Sequence, residues 1–222
     1  MRKYFVISTL LLGSLTSPIF AEESKSFYLS IVGGINSINE VEGDLDGTGG
    51  VSFGTDSPFE YSLAIGKEFD DWRLEFNYSA TTVSRDSITV TAPGQNPVTA
   101  NISPDIEADI KSYMLFGYKD FPSDSKFTPY AGLGLGVGNF SAKNQTATVA
   151  GTAYQFEGGD ETVFSFGLKG GVSYEIADNT SLFTEGLYQN FASYQVAEAG
   201  YETVNYDSNQ FFAVSAGIKF SF

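Results

Sequence analysis

Residues 210–222 read QFFAVSAGIKFSF, and their side chains alternate between two kinds along the whole stretch. The apolar set consists of Phe212, Val214, Ala216, Ile218, Phe220 and Phe222. The intervening set is small or polar and consists of Ala213, Ser215, Gly217, Lys219 and Ser221. Because successive side chains of a β-strand point to opposite faces, this stretch is predicted to be a strand with one apolar and one polar face.

The same alternation recurs in seven other stretches of the chain. They are Phe27–Asn36, Glu60–Phe69, Trp72–Thr82, Ile110–Phe121, Thr128–Asn139, Val163–Ile176 and Ser181–Phe191. Each of the eight predicted strands is near or above the roughly 9–11 residues that a tilted strand needs to cross a bilayer. Connections are short after the second, fourth and sixth strands and long after the others. The sequence therefore predicts an all-β, eight-stranded antiparallel up-and-down transmembrane β-barrel with short periplasmic turns and long extracellular loops.

The composition removes several classes of function. The 222 residues include no Cys and no His, which excludes disulfide scaffolds, Cys nucleophiles, His general bases and metal sites built on either residue. The formal net charge of −15 would repel a phosphate backbone, so we expect no nucleic-acid partner. We also expect no cofactor.

The N-terminal residues have the layout of a targeting signal. Arg2 and Lys3 precede an apolar run at 4–15, and the small Ala21 follows the helix-breaking Pro18. This is the order of a secretory signal peptide, and the apolar run is shorter than the roughly 20 residues of a spanning helix. We therefore expect a signal peptide at 1–21 and the barrel domain at 22–222.

Charged residues within the strands indicate which face points into the barrel. A sheet in hydrocarbon must close on itself to pair its backbone, and its outer face must be apolar. This rule predicts an interior ion-pair network of Arg73, Glu75, Lys111, Lys169, Glu175, Glu185 and Lys219, with Glu68 near the periplasmic rim. In the fourth strand it places Lys111 and Lys119 inside and turns four large side chains toward lipid: Ile110, Met114, Phe116 and Tyr118. Side chains can fill an eight-stranded barrel, so a polar plug is favoured, with a gated narrow pore as the functional alternative.

Four glycines of the fifth strand, Gly132, Gly134, Gly136 and Gly138, share one face. The run lacks the GxGxxG and GK[ST] patterns of phosphate loops, so we expect these glycines to leave room for large lumen side chains opposite. Aromatic residues near strand ends are predicted to form the girdles at the membrane interfaces. They are Tyr28, Phe69, Trp72, Tyr118, Phe121, Tyr130 and Tyr174.

The long loops hold most of the acidic residues. Residues 27–66 contain no Lys or Arg but hold Glu40, Glu42, Asp44, Asp46, Asp56 and Glu60. Solvated, mobile loops explain this charge, and divalent-cation bridging to lipopolysaccharide or contact with a basic partner is the functional alternative. Glu42, Asp44 and Asp46 resemble the start of a calcium loop, although Phe53 stands where the bidentate Glu is expected. Acidic turns containing Gly explain the segment without a metal.

Four segments resemble those of small eight-stranded outer-membrane barrels, a family that includes the transmembrane domain of outer membrane protein A and the opacity-type surface antigens. They are Trp72–Tyr78, Pro129–Gly136, Gly171–Ile176 and Ala216–Phe222. The resemblance implies a location in the bacterial outer membrane, a monomeric state, and outer-membrane lipid and lipopolysaccharide as neighbours. It also implies that the barrel-assembly machinery reads the C-terminal pattern, with Ile218, Phe220 and Phe222 as the assembly signal.

These observations together predict a noncatalytic protein with a structural or surface-interaction role through its acidic extracellular loops. The resemblance adds that enzymes among small outer-membrane barrels use His in their active sites, and the chain has none. A small passive channel with a charged lumen is the alternative. A soluble periplasmic ligand-binding barrel is a third possibility, and it requires an apolar interior.

Overall fold

The computed structural model describes residues 27–38, 41–44, 49–156, 158–196, 204–206 and 208–222, which form β-strands joined by turns and short irregular stretches. The predicted signal peptide at 1–21 lies outside the described residues. Eight strands form a barrel: β1 (Phe27–Ile38), β4 (Phe59–Phe69), β5 (Trp72–Thr91), β6 (Val98–Asp120), β7 (Phe127–Ala142), β10 (Gly159–Ala177), β11 (Thr180–Phe191) and β14 (Asn209–Ser221). Six shorter strands lie in the long connections: β2 (Val41–Asp44), β3 (Gly50–Thr55), β8 (Gln145–Val149), β9 (Thr152–Phe156), β12 (Tyr194–Val196) and β13 (Val204–Tyr206). Within these ranges, no helix is long and apolar enough to cross a membrane.

The eight long strands close into a ring. Each pairs antiparallel with the barrel strand that follows it in the chain, and β1 pairs with β14 to complete the cylinder. The closing register places Ile31 beside Ile218 and runs on to Ile38 beside Phe211. All eight strands predicted from the alternation are confirmed, and so is the up-and-down order.

Short turns join the strands at one end of the barrel. Asp70 and Asp71 link β4 to β5, and Asp70 adopts a positive φ of 52°, a conformation that Asp tolerates better than most residues. Phe27 and Phe222 meet at the same end, where each backbone N–H donates to the other's carbonyl, at 2.8 and 3.3 Å. In outer-membrane barrels the short turns are periplasmic, which orients the molecule.

The long connections contain β-structure of their own. Strands β5 and β6 contain 20 and 23 residues and pair as far as Val90 beside Val98. At about 3.3 Å per residue this hairpin is far longer than an apolar band about 25 Å tall, so it projects beyond the membrane. Its far end is rich in Ile, Val and Thr, which favour strands, and it also pairs with β3 and β8. We call residues 85–107 with β3, β8 and β9 the extracellular arm.

The outer wall of the barrel is apolar, and the lipid-facing sets predicted for β5, β10, β11 and β14 point outward. In β14, Val214 is 66% exposed, and Phe212, Phe220 and Phe222 also point outward. Phe164, Phe166 and Leu168 do the same in β10, and Leu133 and Leu135 do so in β7. Exposed apolar side chains over a continuous cylinder are stable only in contact with lipid.

The predicted orientation of the fourth barrel strand, β6, is wrong. Met114, Phe116 and Tyr118 are each 1% exposed and point into the lumen, together with Ile110. The outward residues are Lys111, Tyr113, Leu115, Gly117 and Lys119. The two lysines lie near opposite ends of the membrane-crossing part of the strand, where an ammonium group reaches water from the outer wall. The positions of these two lysines therefore do not indicate which face of the middle of β6 points to lipid.

Candidate functional site

The periplasmic half of the lumen contains a buried carboxylate held by two tyrosines. Glu75 accepts hydrogen bonds from the hydroxyl of Tyr28 and from that of Tyr118, each at 2.9 Å. Strands β1, β5 and β6 supply these three residues, and all three side chains are buried. A buried charge is tolerated when donors surround it, so the tyrosines satisfy Glu75 without a direct ion pair.

Arg73 lies two residues before Glu75 and points into the same space. Its Nε donates to the Asp120 carboxylate at 2.8 Å, which forms a salt bridge with little exposure to solvent. The guanidinium carbon also lies 4.5 Å from the ring centroid of Tyr118 and 4.8 Å from that of Tyr130. Planar stacking on aromatic rings suits Arg better than Lys, so the rings and the carboxylate together fix this side chain.

A second ion pair lies above the first, between β10 and β11. Lys169 Nζ is 2.8 Å from Glu185 Oε1, and both side chains are 5% exposed. Glu185 also accepts a hydrogen bond from the Tyr130 hydroxyl at 3.0 Å, and Lys169 lies 4.8 Å from the centroid of the Phe116 ring. At the periplasmic rim, Lys219 pairs with Glu68 at 2.7 Å.

The structure therefore brings together five of the seven residues proposed for the interior network, and two lie elsewhere. Lys111 is exposed on the outer wall because β6 has the opposite orientation from the predicted one. Glu175 has the predicted inward parity, but it lies at the periplasmic end of β10, where it is exposed. The five that share the lumen are Arg73, Glu75, Lys169, Glu185 and Lys219.

Four members of the network are absent from the sequence-based set: Tyr28, Tyr118, Tyr130 and Asp120. The three tyrosines were predicted to belong to the membrane girdle, and the structure places them inside instead. A signal for one of them, Tyr118, and for the neighbouring Phe116 was available in the glycine face of β7. Gly132 pairs with Tyr118 and Gly134 with Phe116, and a Cβ on either glycine would lie within about 2.5 Å of the partner ring. Large side chains of β6 thus fill the space that the glycines of β7 were predicted to leave, although these side chains were predicted to face lipid.

An apolar layer lies in the lumen above the polar network. Phe191 is its centre and makes edge-on contacts with Phe140 and Phe211 at centroid distances of 5.1 and 4.9 Å. The buried members of this layer are Val83, Ile110, Val163, Phe191 and Phe211. Below it, the cavity among the charged side chains measures about 20 Å³, enough for about one water molecule.

The arm carries a separate apolar cluster outside the membrane. Phe53, Ile102, Ile106 and Ala147 are buried there, and Arg85 lies over the Phe53 ring at 4.8 Å. Of the calcium candidates, Asp46 lies outside the described residues, as do the side chains of Glu42 and Asp44. In the part of the chain that the structure describes, no three acidic side chains are grouped so as to hold a metal ion.

Comparisons with known proteins agree with this geometry. Residues 7–220 match the family described as the outer membrane protein beta-barrel domain. Outer membrane protein PagN of Salmonella typhimurium is 26% identical over 186 residues, which cover 79% of this chain and 77% of that protein. Neisserial surface protein A has a similar structure, with a TM-score of 0.53, 18% identity and coverage of 88% of this chain and 97% of the other. The outer membrane protease OmpT of Escherichia coli gives a TM-score of 0.55 at 9% identity, covering 92% and 99% of the two chains.

The closed cylinder with an apolar exterior and paired charges inside defines a small β-barrel of the bacterial outer membrane. The chain belongs to the outer membrane protein beta-barrel domain family. Its location in the bacterial outer membrane is thereby established, and the soluble periplasmic alternative is wrong. The two structural likenesses fall below 25% identity and show the fold alone.

Proposed function

We propose that the protein is a noncatalytic, closed barrel that anchors an extracellular β-structured surface for interaction with other molecules at the cell exterior. The observation that carries this proposal is the contrast between the two parts of the molecule. The lumen is filled by ion pairs and by the apolar layer around Phe191, whereas the arm extends sheet and core well beyond the lipid. Building an ordered core outside the membrane has a cost in conformational entropy, which a surface role explains.

Acidic side chains give the extracellular end its chemical character. Asp86, Asp105 and Glu107 lie on the arm, and further acids occur in the neighbouring connections. A basic protein surface, or divalent cations that bridge to lipopolysaccharide, would complement this charge. The absence of His and Cys from the sequence supports a role without catalysis.

Shortening the arm tests the surface role. Residues 88–100 would be replaced by a two-residue Asn-Gly turn that joins the paired Ser87 and Asn101. Bacteria expressing this variant or the wild type would be compared for attachment to an epithelial monolayer. We expect loss of attachment in the shortened variant, unchanged vancomycin sensitivity, and an unchanged mobility shift between boiled and unboiled samples. Equal attachment by the two strains would contradict the proposal.

A small passive channel is the second candidate, and the charged lining of the lumen favours it. Planar-bilayer recording separates the two functions. The closed-barrel proposal predicts no steady conductance for the wild type and none for Lys169→Gln. Steady openings whose size changes in Lys169→Gln would establish the channel.

We also propose how the protein reaches this state. Cleavage after Ala21 would release the barrel domain 22–222, and Ile218, Phe220 and Phe222 would form the signal that the barrel-assembly machinery reads. The outward direction of Phe220 and Phe222 leaves both rings available to a partner before the barrel meets lipid. We expect the Phe222→Ala variant to accumulate unfolded in the periplasm, and normal assembly of this variant would contradict the proposed assembly signal. We also expect the folded wild type to be a monomer in detergent.

A further inference from the structure

Two outward-facing lysines lie among aromatic rings at the periplasmic end of the outer wall. Lys67 Nζ is 5.0 Å from the ring centroid of Phe27 and 5.2 Å from that of Phe69. Lys119 Nζ is 5.2 Å from the ring of Trp72. Phe69 pairs with Trp72 across β4 and β5, and Trp72 pairs with Lys119 across β5 and β6. We call these five residues the lysine–aromatic patch.

The two ammonium groups differ in what neutralises them. Lys119 donates to the Asp71 carboxylate at 2.8 Å, but both side chains are substantially exposed, so the pair is screened by water. Among the described side chains, Lys67 makes no salt bridge, and its neighbours at the patch are the two phenylalanine rings. Lys67 is therefore the cation that is free to bind an anion from the lipid side.

The depth of the patch in the membrane indicates which anion lies near it. Aromatic girdles of membrane barrels lie at the level of the lipid headgroups, and the short turns mark this end as periplasmic. The phosphates of the surrounding phospholipids lie at the same level, within reach of lysine side chains that extend along the wall. Rings beneath the ammonium groups also provide an apolar surface for the glycerol and upper acyl carbons of one lipid.

We propose that the lysine–aromatic patch is a binding site for the headgroup of an anionic phospholipid in the periplasmic leaflet. Lys67 donates to the lipid phosphate, Lys119 provides a second donor, and Trp72 with Phe69 packs against the glycerol. The proposal rests on the membrane location and not on the proposed surface role. Because the whole chain carries a net charge of −15, diffuse attraction cannot produce a preference for anionic lipid, and any preference must be local.

Trp72 is the single tryptophan of the chain, so its fluorescence reports on this site alone. The full mature barrel would be placed in dioleoyl phosphatidylcholine vesicles and titrated with brominated phosphatidylglycerol or, separately, with brominated phosphatidylcholine, which quenches tryptophan equally well on contact. We expect half-maximal quenching at about a three- to fivefold lower mole fraction of the anionic lipid, the size expected for one lysine near a lipid surface.

Three variants identify the source of the preference. In Lys67→Gln combined with Lys119→Gln, the two titration curves should superimpose, whereas Asp71→Asn should widen their separation. Lys111→Gln is the matched control, because Lys111 faces outward near the opposite end of the same wall, and its preference should equal that of the wild type. The heat-dependent gel shift verifies that each variant is folded. Coincident curves for the wild type, a preference that survives the double substitution, or an equal loss in Lys111→Gln would overturn the proposal.

Discussion

At the scale of single residues, the lumen shows how a barrel stabilises charge away from bulk water. Glu75 is satisfied by two tyrosine hydroxyls, and Glu185 by one tyrosine and one lysine. Hydrogen bonds to a charged group are stronger than neutral ones, and a buried charge that loses its partner is strongly destabilising. These side chains therefore contribute to the stability of the barrel as a connected set.

Replacing Glu75 with Ala should lower the free energy of unfolding by about 2–4 kcal/mol, because two buried tyrosine hydroxyls lose their shared acceptor. Urea unfolding of the barrel in lipid vesicles, followed by the gel shift of the folded form, would measure this. Glu175→Ala is the matched control: its carboxylate is exposed at the rim, and we expect a change within about 0.5 kcal/mol. Equal effects of the two substitutions would show that the network does not stabilise the barrel.

Replacing a glycine with a larger residue should destabilise the barrel on the lumen side of β7 but not on the lipid side of β10. A Cβ at Gly134 would lie 2.5 Å from a Phe116 ring carbon, whereas a Cβ at Gly170 has nothing within 4 Å. Gly134→Ala should therefore cost about 1–3 kcal/mol through overpacking, and Gly170→Ala should be nearly neutral in the same assay. Adding Phe116→Leu to Gly134→Ala should recover part of the loss, and failure to do so would contradict the assigned contact.

The same residues explain how far the sequence could predict the interior. Mid-strand charges such as Lys169 and Glu185 orient their strands correctly, because lipid excludes a charge at that depth. Lys111 and Lys119 do not orient β6, since they lie near the membrane surfaces, where a charged side chain is permitted on either face. Arg73 and Asp120 belong to different strands, β5 and β6, and alternation within one strand does not indicate which side chains of another strand it meets.

At the scale of elements, the barrel strands and the arm follow different rules. Alternation predicted all eight barrel strands because each must present one apolar face to lipid over its whole length. Beyond the membrane that requirement ends, and the upper parts of β5 and β6 mix apolar, polar and acidic residues with less regular alternation. Their structure depends on long-range pairing with β3 and β8, which the sequence alone does not indicate.

A substitution that removes side-chain atoms from the core of the arm should unfold the arm locally while the barrel stays folded. Ile102 is 3% exposed at the centre of that core, and Ile102→Ala removes methyl groups worth about 2–5 kcal/mol of local stability. Trypsin cleavage at Arg85 on intact cells should become roughly tenfold faster or more, while the gel shift of the barrel persists. Val98→Ala, at an exposed position of the same hairpin, is the control. An unchanged cleavage rate for Ile102→Ala would show that the arm has no core of its own.

At the scale of the whole molecule, the central claim is that the apolar side of the cylinder faces lipid while the charged and aromatic network lies inside. The family match and the closed strand order support this arrangement, and the proposed functions all depend on it. The chain contains no Cys, so single cysteines can be introduced one at a time without a background signal.

A nitroxide scan of residues 164–168 and 113–117 in lipid vesicles tests this claim most directly. Collision with dissolved oxygen, which concentrates in the bilayer, should peak at Phe164, Phe166 and Leu168 in β10 and at Tyr113 and Leu115 in β6. Labels at the intervening positions should show low oxygen contact or prevent folding. Oxygen contact that peaks at Met114 and Phe116 in β6 and at Ser165 in β10 would show that these side chains face lipid, and would contradict this arrangement.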